Sequence, residues 1–410
     1  MNKWYNKLQY GTMLLMAAAM PISWRFGLYV ALLLATVSVV KMVAERRIWN
    51  SALDWRLRIP LYAIILYWLM IVVSVLFSAN TASAWQVVGR KAGLIIFPLC
   101  FLLADTSYLN AKYLRGLGYA LLASVCGVFL YFFGIAVVGM IGGASWAAVS
   151  VSYVFDPRHH TYTALYMTIA IVFVLHEMST RWNEMKVWQK VLMAVSLTVC
   201  MFYLMIVNSR AGVLSLWIVV IGYVLYMVLF CKQWKCALLV ALLFAGVLLG
   251  MKFLGHTDRV EQTVESVSGG EGDARIQIYK SALHTAKEMP VVGYGAGDYY
   301  QSFSEISDKE NNGYVAANIH NQYLETLLSV GVIGLVPFLI WLFCPLWLAW
   351  RRKSPNLFLL LMLEGVVMFN LLFESMLERQ MGLLFIGYLL SVIVLILSME
   401  ENKFGRVRKS

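Results

Sequence analysis

Three ionisable residues at the edges of apolar segments are the strongest candidates for chemistry in this chain: Arg210, Arg275 and His320. A charged side chain at the centre of a membrane helix costs roughly 2.5–3.5 kcal/mol on insertion scales, so its position there needs a reason. A guanidinium donates two parallel hydrogen bonds to a phosphate, and a neutral imidazole accepts a proton from a hydroxyl. These residue types predict a group transfer in which a phosphate-bearing group leaves.

Arg210 lies in the sequence Asn208-Ser209-Arg210-Ala211-Gly212, which joins two apolar segments with almost no loop. A guanidinium held at the membrane interface by such a tight connection suits a phosphate, because its planar fork matches two phosphate oxygens. The alternative is an anchor whose charged end reaches the interface and does no chemistry. Position alone leaves both interpretations open.

Arg275 follows Asp273, a residue type that favours the start of a helix, and the pattern predicts a helix from Asp273 to about Glu288. Residues at helical spacing mark one face of this helix: Tyr279, Ala282 and Ala286. That face can pack on the membrane helices and present Arg275 inward. In the alternative interpretation, Arg275 is a solvated neighbour of Asp273.

His320 lies in Asn318-Ile319-His320-Asn321-Gln322, at the start of an apolar segment. A helix N-terminus carries unpaired N–H groups and a positive partial charge, which favour a neutral imidazole and an anion nearby. This arrangement suits a general base beside a diphosphate leaving group. The alternative is a polar cap of the helix.

Other residues are weaker candidates for binding substrate. Arg158 and His160 precede the sixth apolar segment, and Arg90 with Lys91 opens the fourth, as anchors or as a further phosphate contact. Tyr299 and Tyr300 are candidate surfaces for stacking on a sugar, or they belong to the core of a loop. Two acidic residues lie in the turn before the last segment, where we expect them to pair with Arg379 or with a catalytic arginine: Glu374 and Glu378. The spacing of His and Cys predicts no metal site, and we expect no cofactor.

The elements that position these residues are predicted to be membrane helices. Of the 410 residues, 61% are hydrophobic and 13% are charged, which is far more apolar surface than a soluble core of this size could bury. The continuous apolar runs predict an all-α polytopic membrane protein of about 12 helices. The predicted spans are approximately 8–24, 27–43, 59–78, 91–104, 117–139, 161–178, 190–208, 211–230, 237–254, 323–348, 356–374 and 381–399.

The net charge of +11 reflects Lys and Arg in the short gaps on one side of these spans, so it indicates topology and not a nucleic-acid partner. We expect both termini in the cytoplasm of a bacterium and the protein in its inner membrane. The predicted division is residues 1–254 with nine spans, a large periplasmic loop over 255–322 containing short helices, and 323–410 with three spans and a basic cytoplasmic tail. The loop is the expected substrate-binding and catalytic part.

The order and sidedness of these motifs resemble the superfamily of O-antigen ligases and O-antigen polymerases. The resemblance covers about residues 195 to 345, while the first half is similar in hydropathy only. The matching features are Ser209-Arg210-Ala211-Gly212, Asp273-x-Arg275, Pro290-x-x-Gly293-x-Gly295-x-Gly297, His320-Asn321-x-Tyr323-Leu324 and Gly331-x-x-Gly334-Leu335.

The resemblance implies a metal-independent, inverting transfer of a glycan from undecaprenyl diphosphate to a sugar hydroxyl. It implies that Arg210 and Arg275 bind the diphosphate and that His320 is the catalytic residue. The expected function is O-antigen ligation onto lipid A core, with membrane lipids around the protein. The main alternative is an O-antigen polymerase, whose acceptor is another lipid-linked glycan. A different class of protein, a transporter of polysaccharide or lipid, is the second alternative, although the polar candidates gather at one interface and not at mid-membrane.

Overall fold

The structure is a computed structural model that describes residues 2–143, 160–207, 209–253, 274–310 and 318–407. Within these ranges the chain forms fifteen α-helices and no strand, so the predicted all-α fold is confirmed. The helices are α1 (Asn2–Ile22), α2 (Trp24–Glu45), α3 (Trp55–Ser74), α4 (Thr81–Lys91), α5 (Gly93–Leu103), α6 (Ala111–Ile141), α7 (His160–Arg181), α8 (Val187–Val207), α9 (Arg210–Leu229), α10 (Trp234–Phe253), α11 (Ala274–Lys287), α12 (Tyr299–Glu310), α13 (Gln322–Arg351), α14 (Leu357–Phe373) and α15 (Gln380–Val407).

Every predicted span coincides with a helix. Nine helices of the described part are long and apolar enough to cross a membrane: α2, α3, α6, α7, α8, α9, α10, α13 and α15. The bent pair of α4 and α5 makes a tenth if it is one span. The apolar helix α14 has 17 residues, which is close to the shortest stretch that spans a bilayer. The protein is therefore a multi-pass membrane protein.

The fourth predicted span coincides with α5, but the helix α4 that precedes it was not predicted. The sequence indicated a span over 91–104 that opened at Arg90 and Lys91, whereas the helical segment begins at Thr81 and bends by 42° between α4 and α5. The polar residues of α4 interrupt the apolar pattern, so the sequence did not indicate a helix there. The side chain of Asn80 caps α4 by accepting a hydrogen bond from Ser83 N at 3.0 Å. Lys91 consequently lies at the bend and is 1% exposed.

The chain divides into two compact units. The first contains residues 1–116, 272–360 and 371–410, and the second contains 117–271 and 361–370. In the first unit α3 packs along α13, and α5 contacts α2, α3 and α15. In the second unit α7 packs against α8 and α9, and both of these contact α10.

Of the described helices, α11 and α12 come directly before α13 in the chain. The predicted helix over 273–288 is confirmed as α11, while its predicted first residue Asp273 lies outside the described residues. In contrast, α12 lies in a stretch that the sequence indicated only as polar and aromatic. The two helices share a core with α13 that is formed by Ile278, Ala282, Tyr299, Phe303, Ile319 and Leu328. Tyr279 and Ala286 pack against this core, as their helical spacing predicted.

The glycine-rich run from Pro290 to Gly297, between α11 and α12, is hydrogen-bonded to a break in α13. Gly331 interrupts α13 with a φ of 65° and a ψ of −168°, a conformation that is essentially restricted to glycine. Three backbone hydrogen bonds join the run to the break: Tyr294 N to Leu328 O at 2.9 Å, Gly295 N to Ser329 O at 3.0 Å and Val332 N to Val291 O at 3.0 Å. The run thus satisfies backbone groups that an unbroken helix would pair internally.

The other side of the run contacts the end of α3. The hydroxyls of Ser74 and Ser78 accept hydrogen bonds at 3.1 Å from the backbone N–H groups of Ala296 and Gly297. The carboxylate of Asp298 accepts from Ala79 N at 2.6 Å and from Asn80 N at 3.0 Å. Side chains at the glycine positions would collide with these neighbours, so the spacing of Gly293, Gly295 and Gly297 reflects close backbone packing.

We expect Gly331→Ala to lower the melting temperature of the purified protein by several degrees. A Cβ at this position would collide with the carbonyl oxygen of Val291, and the backbone conformation alone costs alanine about 1–3 kcal/mol. Gly11→Ala is the matched control, because Gly11 is helical and has open space around it. Thermal unfolding in detergent measures both variants, and equal melting temperatures would contradict the packing described for Gly331.

Candidate active site

The backbone around His320 is fixed by two asparagines. His320 has a φ of 53°, in the left-handed region, and its N–H donates to the side-chain oxygen of Asn318 at 3.1 Å. Asn321 caps α13, since its side-chain oxygen accepts hydrogen bonds at 3.0 Å from Tyr323 N and Leu324 N. The prediction that His320 lies at a helix N-terminus is confirmed, and the capping residue itself is Asn321.

The imidazole of His320 pairs with a buried carboxylate. Its Nδ1 lies 3.1 Å from Oε1 of Glu374, and the same oxygen accepts a hydrogen bond from Asn318 Nδ2 at 3.2 Å. The side chain of His320 is 33% exposed and that of Glu374 is 5% exposed. An ionised carboxylate only accepts hydrogen bonds, so this contact suits a proton on Nδ1 and leaves Nε2 as the other ring nitrogen.

Sequence reasoning missed this pair. It placed Glu374 in the turn before the last helix and expected an arginine as its partner, whereas the structure brings it to a histidine 54 residues away. The available signal was that an acidic residue at the end of an apolar helix needs a partner. Nothing in the spacing of the two residues identified His320 as that partner.

Arg275 lies one helical turn before Tyr279, which contacts the backbone of His320. The hydroxyl of Tyr279 is 2.9 Å from the carbonyl oxygens of both His320 and Leu372. Arg275 and Tyr279 are four residues apart on α11 and therefore share a face of the helix. The half-buried Arg275 side chain is thus attached to the face of α11 that meets the His320 turn.

A cluster of buried ionic groups lies in the same unit. Lys91 Nζ is 2.5 Å from Oε1 of Glu378 and 3.3 Å from Oε1 of Glu325. The side chains of Lys91 and Glu325 are 1% and 2% exposed, and that of Glu378 is 16% exposed. Lys91 therefore pairs with carboxylates, while Arg90, predicted as a phosphate contact, is 52% exposed and lies 3.5 Å from Glu378 Oε2.

Gln322 connects this cluster to the segment that carries Glu374. Its Nε2 donates to Glu325 Oε1 at 3.3 Å, and its Oε1 accepts a hydrogen bond from Leu377 N at 2.8 Å. Burial by itself raises the pKa of the Glu378 carboxyl, but the attraction of Lys91 outweighs it and holds that pKa below its ordinary value. Segment 374–378 thus presents one carboxylate to His320 and a second, ionised one to Lys91.

Arg210 and His160 lie in the second unit. Arg210 is half-buried and is the first residue of α9, whose N-cap Ser209 accepts a hydrogen bond from Gly212 N at 3.3 Å. A Cβ on Gly212 would lie 2.6 Å from Cβ of Ala164, so this glycine lets α9 pack closely on α7. His160, the exposed first residue of α7, is one turn from Ala164 and lies at the same end of the helix pair as Arg210. Arg158 lies outside the described residues.

The two tyrosines predicted to stack on sugars have different environments. Tyr299 is 8% exposed and belongs to the core shared by α11, α12 and α13. This favours the alternative given for it, because a buried ring offers little surface to a sugar. Tyr300 is 38% exposed, so its ring is accessible for stacking.

A family model described as O-antigen ligase matches residues 192–339 of the chain. The matched residues include Arg210, Arg275 and His320, and the resemblance inferred from the sequence is confirmed. Glu374 lies beyond the matched residues. The chain has no match among the curated proteins.

We expect Lys91→Met to destabilise the protein strongly. The substitution leaves Glu325 and Glu378 buried without their ammonium partner, and removing one member of a buried ion pair costs about 3–5 kcal/mol. The exposed Lys280 on α11 provides the control Lys280→Met. Melting temperatures of the two purified variants test this, and a Lys91→Met protein as stable as Lys280→Met would contradict the role given to the cluster.

Proposed function

We propose that this chain, which the O-antigen ligase family model matches over residues 192–339, transfers a glycan from undecaprenyl diphosphate to a sugar hydroxyl of lipid A core at the periplasmic face of the bacterial inner membrane. The family supports a membrane glycosyltransferase of the ligase or polymerase type. The observation that carries the proposal is the pairing of His320 Nδ1 with the buried Glu374, which leaves Nε2 as the nitrogen available to a substrate.

The proposed reaction is a direct displacement at the anomeric carbon of the donor sugar. The acceptor hydroxyl oxygen attacks this carbon, and its proton passes to Nε2 of His320. The bond between the anomeric carbon and the diphosphate oxygen breaks, and its electron pair leaves with the undecaprenyl diphosphate. Attack on the face opposite the leaving group inverts the anomeric configuration. Proton transfer to a positioned base of this kind contributes roughly 100- to 10,000-fold in rate.

Arg210 and Arg275 are the proposed ligands of the diphosphate. Hydrogen bonds to charged groups are worth about 1.5–3 kcal/mol each, and the diphosphate gains negative charge as the sugar leaves. Contacts that strengthen in this way stabilise the transition state more than the bound substrate. In this proposal the two guanidinium groups supply the positive charge, and no metal ion is required.

The residues described above act on the donor and on the proton, and both are the same in an O-antigen polymerase. A strain from which the gene is deleted separates the two enzymes. Long glycan chains that accumulate unattached to lipid A core support the ligase. Core that carries single repeat units would instead assign the polymerase reaction.

We expect His320→Ala to abolish glycan transfer while the protein still accumulates in the membrane. The substitution removes the proposed base and keeps the backbone of the turn. The measurement is surface lipopolysaccharide in the deletion strain complemented with each variant, with membrane content checked by immunoblotting. Wild-type surface glycan in the His320→Ala strain would overturn the assignment of His320 as the base.

Arg210→Lys should also fail to complement the deletion strain. Lysine keeps the charge but cannot donate two parallel hydrogen bonds to neighbouring phosphate oxygens. Arg56→Lys, at the start of α3, is the matched control and should complement fully. Full activity of Arg210→Lys would reduce Arg210 to an interfacial anchor.

A further inference from the structure

Glu374 is an acidic side chain that the family motifs do not include, and it is almost fully enclosed. Its side chain is 5% exposed, and its Oε1 receives hydrogen bonds from His320 Nδ1 and Asn318 Nδ2. Burying a carboxylate is costly unless it is hydrogen-bonded. Both of these donors belong to the turn of His320, so the enclosed carboxylate is directed at the proposed base.

The backbone that carries Glu374 is held from three sides. The Tyr279 hydroxyl lies 2.9 Å from Leu372 O, and Gln322 Oε1 accepts from Leu377 N at 2.8 Å. The carboxylate of Glu378 pairs with the buried Lys91 at 2.5 Å. The contacts bracket Glu374 on both sides in the chain, so its carboxylate is a fixed point against which the imidazole is oriented.

The turn of His320 also has hydrogen bonds besides those to this carboxylate. The backbone of His320 is hydrogen-bonded to the Asn318 side chain, and Asn321 anchors the turn to α13. What the backbone leaves undetermined is the rotation of the imidazole and the choice of the nitrogen that carries the proton. A hydrogen bond from one ring nitrogen to a carboxylate determines both.

We infer that Glu374 is a positioning residue for His320, holding the proton on Nδ1 and directing Nε2 to the acceptor hydroxyl. The inference rests on the proposed function. When Nε2 takes the proton of the acceptor hydroxyl, the ring becomes an imidazolium, and Glu374 stabilises it through the Nδ1–H hydrogen bond without taking that proton. The imidazolium then releases the Nε2 proton to water, which restores the neutral ring for the next transfer.

A second histidine–glutamate pair in the same unit offers a matched control. His284 Nδ1 lies 2.5 Å from Glu310 Oε1, and these side chains are 50% and 35% exposed. Hydrogen bonds from Ser281 and His284 lower the pKa of Glu310, which favours the ionised carboxylate. It joins α11 to α12 and makes no contact with the His320 turn among the described hydrogen bonds. Glu310→Gln therefore removes the same kind of hydrogen bond at a different place.

The experiment measures kcat and the donor KM of the purified full-length protein in proteoliposomes, with lipid-linked glycan as donor and lipid A core as acceptor. We expect Glu374→Gln to lower kcat by about 100- to 10,000-fold, the range of general-base catalysis, with the donor KM changed less than about twofold. Glutamine has the same shape but can donate to Nδ1 and so permits the wrong proton arrangement. Glu374→Asp, which keeps the charge on a shorter side chain, should restore part of kcat, and Glu310→Gln should leave kcat unchanged.

The outcomes separate this inference from the proposed function. A wild-type kcat in Glu374→Gln, together with an inactive His320→Ala, would overturn the positioning role and leave His320 as the base. Wild-type activity of His320→Ala would overturn the base assignment itself. If Glu374→Gln does not accumulate in the membrane, the test uses Glu374→Asp instead. A lowered kcat of Glu374→Asp at an unchanged melting temperature supports the inference, and a wild-type kcat of Glu374→Asp overturns it.

Discussion

An ionised side chain enclosed by apolar helices must have a partner, and this constraint shapes the first unit of the protein. Segment 374–378 meets it twice, with Glu374 paired to His320 and Glu378 paired to Lys91. Because each pairing joins residues far apart in the chain, satisfying the charges also fixes the ends of α4, α13 and α14 relative to one another. The pairs that remove the cost of burial therefore also hold the turn of His320 and the buried Lys91 against segment 374–378.

Backbone N–H and C=O groups inside the membrane must likewise have hydrogen-bond partners. A membrane helix that breaks must find other partners for its N–H and C=O groups, and α13 breaks at Gly331. The run from Pro290 to Gly297 supplies these partners, and glycines allow it to approach closely enough. This contact holds the C-terminal side of α11 against α13, and α11 in turn places the Tyr279 hydroxyl at the carbonyl of His320, with Arg275 one helical turn earlier. The glycine spacing and the catalytic candidates thus belong to one structural arrangement.

Features encoded locally could be predicted from the sequence. Continuous hydropathy located a helix at every predicted span, and the helical spacing of Tyr279, Ala282 and Ala286 predicted the packed face of α11. The position of His320 at a helix start was likewise readable, because capping residues precede an apolar run.

Features that depend on distant partners could not be predicted in this way. α4 was missed because its polar residues interrupt the apolar pattern. The burial of Lys91 could not be predicted because its two carboxylates come from α13 and from the turn after α14. The pairing of His320 with Glu374 has the same origin, as 54 residues separate them and no local pattern links them. The meeting of Arg210 with Arg275 and His320 stays a prediction.

The division of roles along the chain bears on how one chemistry can serve different acceptors. The family match spans residues 192–339 and contains both arginines proposed for the diphosphate and the proposed base. In the proposed function these groups act on the leaving group and on a hydroxyl proton, and neither task depends on which sugar carries that hydroxyl. On the proposed function, recognition of the acceptor is assigned to other side chains, and the exposed ring of Tyr300 is one candidate. On the proposed function, a ligase and a polymerase would differ in those contacts, while the charge and proton chemistry stays the same.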